Sequence, residues 1–342
     1  MKQKKAIIIP YFGKLPNYFD LWLKSAAENE NYDFLIFSDD YYEPLPINIR
    51  FIKMTFKECQ KLVQNNFSFE INLPEPYRLT AFRPAFGEIF KNWLRDYDWW
   101  GWGDLDVIYG DFDFFLTNDI FEKYDKILTQ GHLSLIRNSS KMNTLYKKEY
   151  LSTMSYKDVF KSGELFHNFD EYPYGFARKA DLFGIKTYKA PIYADIDSFY
   201  FTFRKIYAYL TAKDDDEYTK QIFYWEKGSL SNYIENSEGQ IIKNQVLYLH
   251  LQKRKMLRSE SIDGDFFIVP NSFLPSTKYT IEDIFQSIDF SANDTYLFST
   301  SKCKNSVMKK YFNRYVWKDR LFRFKVQKIF RIHPYKYKKG GF

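Results

Sequence analysis

The chain has 342 residues, 45% of them hydrophobic and 21% aromatic, which suits one large domain or two modest ones around a substantial core. Its net charge of +7 hides a split: residues 301–342 hold 14 Lys/Arg and one acid, Asp319, leaving 36 basic and 42 acidic residues before them. Cys59 and Cys303 exclude a disulfide framework or a cysteine metal cluster, and no run of about 18 apolar residues is present to span a bilayer.

Met1–Lys5 is basic, but the apolar run after it, Ala6–Ile9, is too short for a secretory leader. Ala6–Phe12 then reads as a buried strand ended by Pro10 and Gly13. Residues 17–28 carry helical spacing at Phe19, Leu23 and Ala26. Tyr32–Ser38 is a second apolar strand ending at Asp39-Asp40, and Asn48–Met54 a third. This strand–helix–strand order predicts an α/β fold with a mostly parallel sheet. Helices are expected over Phe56–Asn66 and over Arg78–Leu94, the latter bent or begun near Pro84. Trp99–Trp102 is a buried strand delivering Asp104 at its carboxyl end, where open α/β sheets bind ligands. Farther on, Gly131–Arg137 and Gln245–His250 read as strands, Tyr172–Gly175 as a turn and Asp214–Glu217 as an acidic loop. Residues 111–245 give few other periodic signals.

Three Asp-x-Asp triplets occur: Asp104-Leu105-Asp106, Asp111-Phe112-Asp113 and Asp195-Ile196-Asp197. The first stands out because it follows an aromatic strand and Gly103 and precedes another apolar run. Two carboxylates at a strand's end can hold a divalent cation against a diphosphate, offsetting the charge that builds as a nucleotide-sugar bond breaks. A solvated loop with helix-capping aspartates is the other reading of the same spacing. His250, one of four histidines, ends an apolar strand beside Lys253-Arg254-Lys255. Imidazole next to cations suits a site holding metal and diphosphate together, or a histidine capping the core beside a surface basic run.

The segments Pro16–Phe19, Phe34–Asp40, Pro76–Leu79, Phe82–Gly87, Trp100–Gly110, Gly131–Leu133, Phe169–Glu171 and Leu249–Met256 together resemble a family of bacterial GT-A glycosyltransferases. That family is encoded with capsule, O-antigen and other surface-polysaccharide genes, carries an Asp-x-Asp motif, and has a late His-x-Gln-Lys-Arg motif. The resemblance covers most of residues 5–260. It implies a Rossmann-like, mostly parallel sheet flanked by helices over residues 1–300, with a nucleotide-sugar half at about 1–110 and an acceptor half at about 111–260. Asp104 and Asp106 would bind Mn²⁺ or Mg²⁺ together with His250. Asp104, Arg83, Lys253 and Arg254 would serve the donor's phosphates, and Asp39 its nucleobase or ribose. Arg83 stands where Lys is common in such sequences, and the two differ in shape.

An inverting reaction needs a base for the acceptor hydroxyl. Asp170 and Glu171 are the candidates, then Asp195 and Asp197; all four also read as surface acids. The implied partners are a nucleotide-sugar donor, with a UDP-sugar favoured, and a glycan or lipid-linked saccharide. Residues 301–342 interleave Lys and Arg with aromatic rings and read as a partly helical extension able to lie on an anionic membrane, to pack on the domain, or to meet nucleic acid. The two cysteines suggest a reducing compartment, and the resemblance implies a cytoplasmic place at the inner face of a bacterial plasma membrane, with no nucleic-acid partner. Competing functions are an inactive nucleotide- or sugar-binding protein of the same fold, a nucleic-acid-binding protein, which the acidic body disfavours, and a metal-dependent phosphotransferase or nuclease. For the last, the Gly-x-x-x-x-Gly-Lys phosphate loop is missing.

Overall fold

The computed structural model describes residues 3–165, 167–197, 201–205, 220–236, 238–252, 254–258 and 261–288. The acidic loop at 214–217, Lys253, Cys303 and the basic extension at 301–342 lie outside the described residues. The strands are β1 Lys5–Pro10, β2 Tyr32–Ser38, β3 Ile49–Lys53, β4 Trp99–Gly103, β5 Val107–Tyr109, β6 Lys126–Ile127, β7 Leu133–Arg137, β8 Thr187–Tyr188, β9 Ala194–Asp195, β10 Gln221–Glu226, β11 Ser229–Glu235, β12 Ile241–Gln245, β13 Tyr248–His250, β14 Phe266–Val269 and β15 Ser272–Pro275.

Seven strands form the central sheet in the order β3-β2-β1-β4-β7-β6-β8. Every neighbouring pair is parallel except the two that involve β7, which runs against β4 and β6. The expected mostly parallel α/β sheet is therefore present. Continuous burial of Ala6 to Ile9 and of Phe34 to Phe37 explains why these strands lack polar–apolar alternation: both faces are covered. Strand order reverses beside β1, with β2 on one side and β4 on the other. The carboxyl ends of these strands flank the crevice where such sheets bind ligands.

Strand β4 alternates bulk and absence of bulk. Trp99, Trp100 and Trp102 are fully buried, and each indole N–H finds an acceptor: Gln3 Oε1 at 3.1 Å, Asn143 Oδ1 at 2.7 Å and the Gln130 carbonyl at 3.2 Å. A Cβ at Gly101 would stand 2.2 Å from the Ser134 carbonyl oxygen, so only glycine lets β7 come this close.

Helix Phe19–Ala27 buries Phe19, Leu21, Trp22, Leu23, Ser25 and Ala26 against the sheet. It also pins the segment after β4. Trp22 Nε1 donates to the Asp104 carbonyl at 3.1 Å, and Tyr109 N donates to Ser25 Oγ at 3.1 Å. Helix Phe56–Gln64 begins with a Thr55/Glu58 capping box, each side chain bonding the other residue's backbone N–H.

Two expectations change. The helix expected over Arg78–Leu94 is a 3₁₀ segment, Pro76–Ala85, followed by one α-turn, Phe86–Ile89. Pro84 removes a backbone donor within it, and crowded Phe82, Phe86 and Phe90 are satisfied by burial rather than by one regular face. Gln245–His250 is not one strand. β12 ends at Gln245 in a five-stranded antiparallel sheet, β12-β11-β10-β14-β15, while β13 joins a three-stranded sheet, β5-β13-β9. That small sheet assembles the site.

Candidate metal centre and active site

Asp104–Asp106 is the three-residue passage from β4 in the central sheet to β5 in the small one. Pairing fixes what meets it. His250 lies opposite Val107 across the antiparallel β5–β13 pair and opposite Asp195 across the parallel β13–β9 pair. Leu251 N closes the corner by donating to the Asp106 carbonyl at 2.8 Å. Three chain segments far apart in sequence thus end at one point.

Asp104, Asp106 and His250 each offer one ligand atom, and the three atoms lie within 4.8 Å of one another. His250 Nε2 is 3.5 Å from Asp106 Oδ1. Side-chain exposures of 27% for Asp104, 15% for Asp106 and 13% for His250 leave the cluster half-sunk but reachable. Two carboxylates and one imidazole fit Mn²⁺, and the carboxylates alone fit Mg²⁺. Burial opposes a charged His250, but Asp106 and Asp195 outweigh it and hold the imidazole well above its ordinary range. The same negative field reaches β1's end: burial, then Asp106, then Asp40 push the Tyr11 phenol up.

A second group adjoins the first. Arg83, 9% exposed, reaches from the 3₁₀ segment to Asp104 Oδ1 with one nitrogen and to Asp170 Oδ2, at 2.9 Å, with another. Burial lowers its affinity for the proton, yet the two carboxylates more than reverse this, so the guanidinium stays charged. Glu171 Oε1 accepts from Gly131 N at 2.7 Å. A Cβ at Gly131 would stand 2.8 Å from Arg83, 2.8 Å from Asp170 and 2.9 Å from Glu171, so this loop can approach all three only without a side chain. The Asp170–Glu171 turn is closed by Glu171 N on the Asn168 carbonyl and Phe176 N on the Phe169 carbonyl, above the fully buried Phe169 ring. Burial and Asp170 raise the Glu171 carboxyl to about 7, with the Gly131 N–H pulling the other way. Burial also raises Asp170, against the pull of Arg83.

The structure thus gathers Asp104, Asp106, His250, Arg83, Asp170 and Glu171. Asp39 stands exposed at the end of β2, where its Oδ1 accepts from Gly13 N at 2.9 Å and ties the loop after β1 to the same edge of the sheet. Arg254 departs from the expectation that it faces a diphosphate. It is 2% exposed and donates to the carbonyls of Asp197, Phe201 and Thr202 and to Asn271 Oδ1, with its guanidinium 5.1 Å from the Phe203 ring centre. A cation spent on backbone carbonyls beneath the surface braces the chain. Lys253 lies outside the described residues. Asp195, weighed above as a base, is instead 7% exposed and bonded to His250 Nδ1 at 2.7 Å. His132, given no role above, stacks on His250 with ring centres 4.2 Å apart. Its only sequence signal is its place after Gly131.

Residues 7–277 match the model of a family described as a family of unknown function (DUF6625). No curated protein matches. Solved structures similar to the chain include a glycosyltransferase involved in the glycosylation of the major capsid of PBCV-1, at 12% identity and TM-score 0.32, covering 56% of this chain and 85% of that one. The galactosyltransferase LgtC, solved with donor and acceptor sugar analogues, is 13% identical with TM-score 0.30, covering 56% of this chain and 75% of that one. The glycosyltransferase GlyE of Streptococcus pneumoniae TIGR4 in its apo form is 15% identical with TM-score 0.24, covering 46% and 42%.

Proposed function

The chain belongs to the family of unknown function DUF6625, and we propose that it is a divalent-metal-dependent glycosyltransferase of the GT-A type, moving a sugar from a nucleoside-diphosphate donor to a glycan or lipid-linked acceptor. The observation that carries this reading is the meeting of Asp104, Asp106 and His250 within 4.8 Å at the strand-order reversal of a mostly parallel sheet. A phosphotransferase of the P-loop kind would carry a phosphate-cradling Gly-rich loop after β1, where this chain has Tyr11-Phe12-Gly13-Lys14-Leu15-Pro16.

In this reading Asp104, Asp106 and His250 hold Mn²⁺ or Mg²⁺. When bound, the ion neutralises charge on the departing diphosphate. Asp104 also borders the donor, and Arg83 fixes its carboxylate from behind while adding positive charge. Asp39 takes the nucleoside end, and Lys253 a phosphate. Glu171 is the acceptor's base if the anomeric centre inverts: held by Gly131 N–H and poised near pH 7, it is matched to taking a hydroxyl proton. Asp170, tied up with Arg83, orients that neighbour.

A UDP-sugar is the favoured donor, and bacterial surface-polysaccharide synthesis the favoured setting. Among the described residues no helix is long and apolar enough to cross a membrane. The excess positive charge of residues 301–342 would hold the protein at the anionic inner face of the plasma membrane, each Lys or Arg contributing about 1 kcal/mol near such a surface. Deleting 301–342 is expected to abolish sedimentation with phosphatidylserine vesicles; retained binding would remove the extension from this role.

The test of the reaction is melting temperature with UDP or GDP, with and without Mn²⁺. At a hundred times the dissociation constant the ligand adds about 2.7 kcal/mol to folding. Asp106→Ala is expected to erase the Mn²⁺-dependent rise and metal-dependent hydrolysis across a panel of nucleotide sugars. A wild-type protein that no nucleoside diphosphate stabilises, or an Asp106→Ala variant with full turnover, would refute the proposal.

A further inference from the structure

His250 has two ring nitrogens, and the structure gives them different neighbours. Nε2 faces Asp106 Oδ1 at 3.5 Å. Nδ1 stands 2.7 Å from Asp195 Oδ1, a hydrogen-bond distance. Asp195 is itself held in place: Gln252 Nε2 donates to the same Oδ1 at 2.9 Å, and the β9–β13 pairing sets its backbone opposite His250. His132 completes the arrangement. It is 4% exposed, its two ring nitrogens have no hydrogen-bond partner among the described residues, and its Nε2 lies 3.7 Å from Asp195 Oδ2. The His132 ring lies 23° from parallel to that of His250, with centres 4.2 Å apart.

Buried imidazole nitrogens without partners are uncommon, because leaving a polar atom dry is unfavourable. Two arrangements would explain this group. In one, a cation sits among His132, Asp195 and His250, whose ligand atoms also lie within 4.8 Å of one another. In the other, Asp195 accepts the Nδ1 proton of His250 and so presents the Nε2 lone pair to the cation held by Asp104 and Asp106. The distances favour the second. A separation of 2.7 Å between Nδ1 and Oδ1 is that of a direct bond, while the 3.5 Å gap on the Nε2 side leaves room for an ion to bridge. One imidazole also cannot give Nδ1 to a second cation and keep its proton there.

We propose that Asp195 and His132 are positioning residues for the metal-binding histidine, Asp195 fixing which nitrogen faces the ion and His132 fixing the plane of the ring. This rests on the reading of Asp104, Asp106 and His250 as a metal centre. A metal-bound histidine commonly gives its other N–H to a carboxylate, and losing that partner commonly weakens metal binding 10- to 100-fold. His132 takes no ligand itself. It is a flat, dry floor that keeps the His250 ring from turning, and its missing hydrogen bonds are the penalty of placing an imidazole there.

The experiment has two parts. The first titrates Mn²⁺ into the full chain, reading free Mn²⁺ by electron paramagnetic resonance, for wild type, His250→Ala, Asp195→Asn and His132→Phe. Melting temperatures without metal report folding. Asp195→Asn is expected to weaken Mn²⁺ binding about 10- to 100-fold at an unchanged melting temperature. His132→Phe, which keeps a stacked ring, is expected to bind as wild type does. The second part needs no variant of Asp195: ¹⁵N-histidine spectra of the wild-type protein loaded with Zn²⁺, with His250 assigned from its alanine variant, are expected to show metal on Nε2 and the proton on Nδ1. Metal on Nδ1, wild-type affinity in Asp195→Asn, or weakened binding in His132→Phe would each overturn the assignment while leaving the metal centre intact. A wild-type protein that binds neither Mn²⁺ nor Zn²⁺ would instead overturn the centre itself, and this proposal with it.

Discussion

The two ends of the central sheet both carry ionised groups, but they treat charge in opposite ways. At the amino end a cavity of about 540 Å³ is lined by Lys4, Asp33, Arg50, Asp96 and Tyr97 among others. There Arg50 pairs with Asp33 at 2.9 Å, the Tyr97 hydroxyl joins them, and Lys4 N donates to Asp98 Oδ2 at 2.8 Å. Arg50, 57% exposed, meets its opposite in wet surroundings, and the cations lining the cavity, Lys4, Lys5 and Arg50, balance the acids Glu30, Asp33 and Asp96. At the carboxyl end Asp104, Asp106, Asp170, Glu171 and Asp195 crowd around Arg83 and His250, all half-sunk or buried. Acids outnumber cations, and burial magnifies the imbalance. The difference teaches that volume is a poor guide to this molecule's chemistry. The roomy cleft carries balanced charge, whereas the tight cluster carries surplus negative charge that a bound cation would offset.

Breaking the carboxyl end should therefore cost activity more than stability, and breaking the amino end should cost little of either. After Asp106→Ala, the largest effect is expected from Glu171→Gln, if the anomeric centre inverts. Losing a general base commonly reduces turnover 10²- to 10⁴-fold. The pH dependence supplies the sign. The wild-type carboxyl, raised to about 7, is protonated at lower pH, so turnover should fall as pH drops below that value. For stability the order reverses. A carboxyl raised by folding is favoured protonated, so its contribution is intact below the unfolded value and is lost as pH rises toward 7. Glu171→Gln should then melt no lower than wild type at pH 8 while being nearly inactive. A variant that keeps its rate would move the base elsewhere.

Gly131→Ala should come next. Its methyl must push on Arg83, Asp170 and Glu171 together. We expect turnover to fall on the order of ten- to a hundredfold through misplacement alone, with stability down by about 1–3 kcal/mol from overpacking. Measured by initial rate and melting temperature, an unchanged rate would mean that the three side chains have slack. Arg50→Ala should have the smallest effect: under about 1 kcal/mol by denaturant titration, as for exposed ion pairs, and no change in rate. A rate loss there would make the amino-end cavity functional after all.

Much of the first half was legible in sequence because its signals are local. Ala6–Ile9 and Phe34–Phe37 are buried on both faces, and a strand that simply runs apolar is easy to see. Trp99–Trp102 with Gly101 and Gly103 announced a strand, and the acids that follow announced an edge. The second half hid itself for physical reasons. Gln221–Glu226 and Ser229–Glu235 alternate weakly because Gln221, Ser231 and Asn232 are polar yet buried, in contacts that no spacing reveals; Asn232 Nδ2, for example, donates to the Ile222 carbonyl at 3.1 Å. One local cue was present: Lys227-Gly228, both at positive φ, form the turn between these strands. In the site, Asp104 and Asp106 stood out by the strand before them, and His250 was joined to them only through the resemblance; the structure brings the three side chains together. Arg254 was misjudged because a cation beside a histidine looks the same in sequence whether it faces a ligand or a carbonyl. Asp195's bond to His250 was invisible because it depends on β9 lying parallel to β13.

The three-stranded sheet has a consequence for the protein's life before it is finished. β5 completes its hydrogen bonds only when β13 arrives, about one hundred and forty residues later, and His250 comes with it. A ribosome that has emitted the first half has made both aspartates but not the His250 imidazole that joins them. In the proposed reading, a nascent or truncated chain would therefore leave activated sugars untouched, and the capacity to consume them would switch on with the closure of the fold.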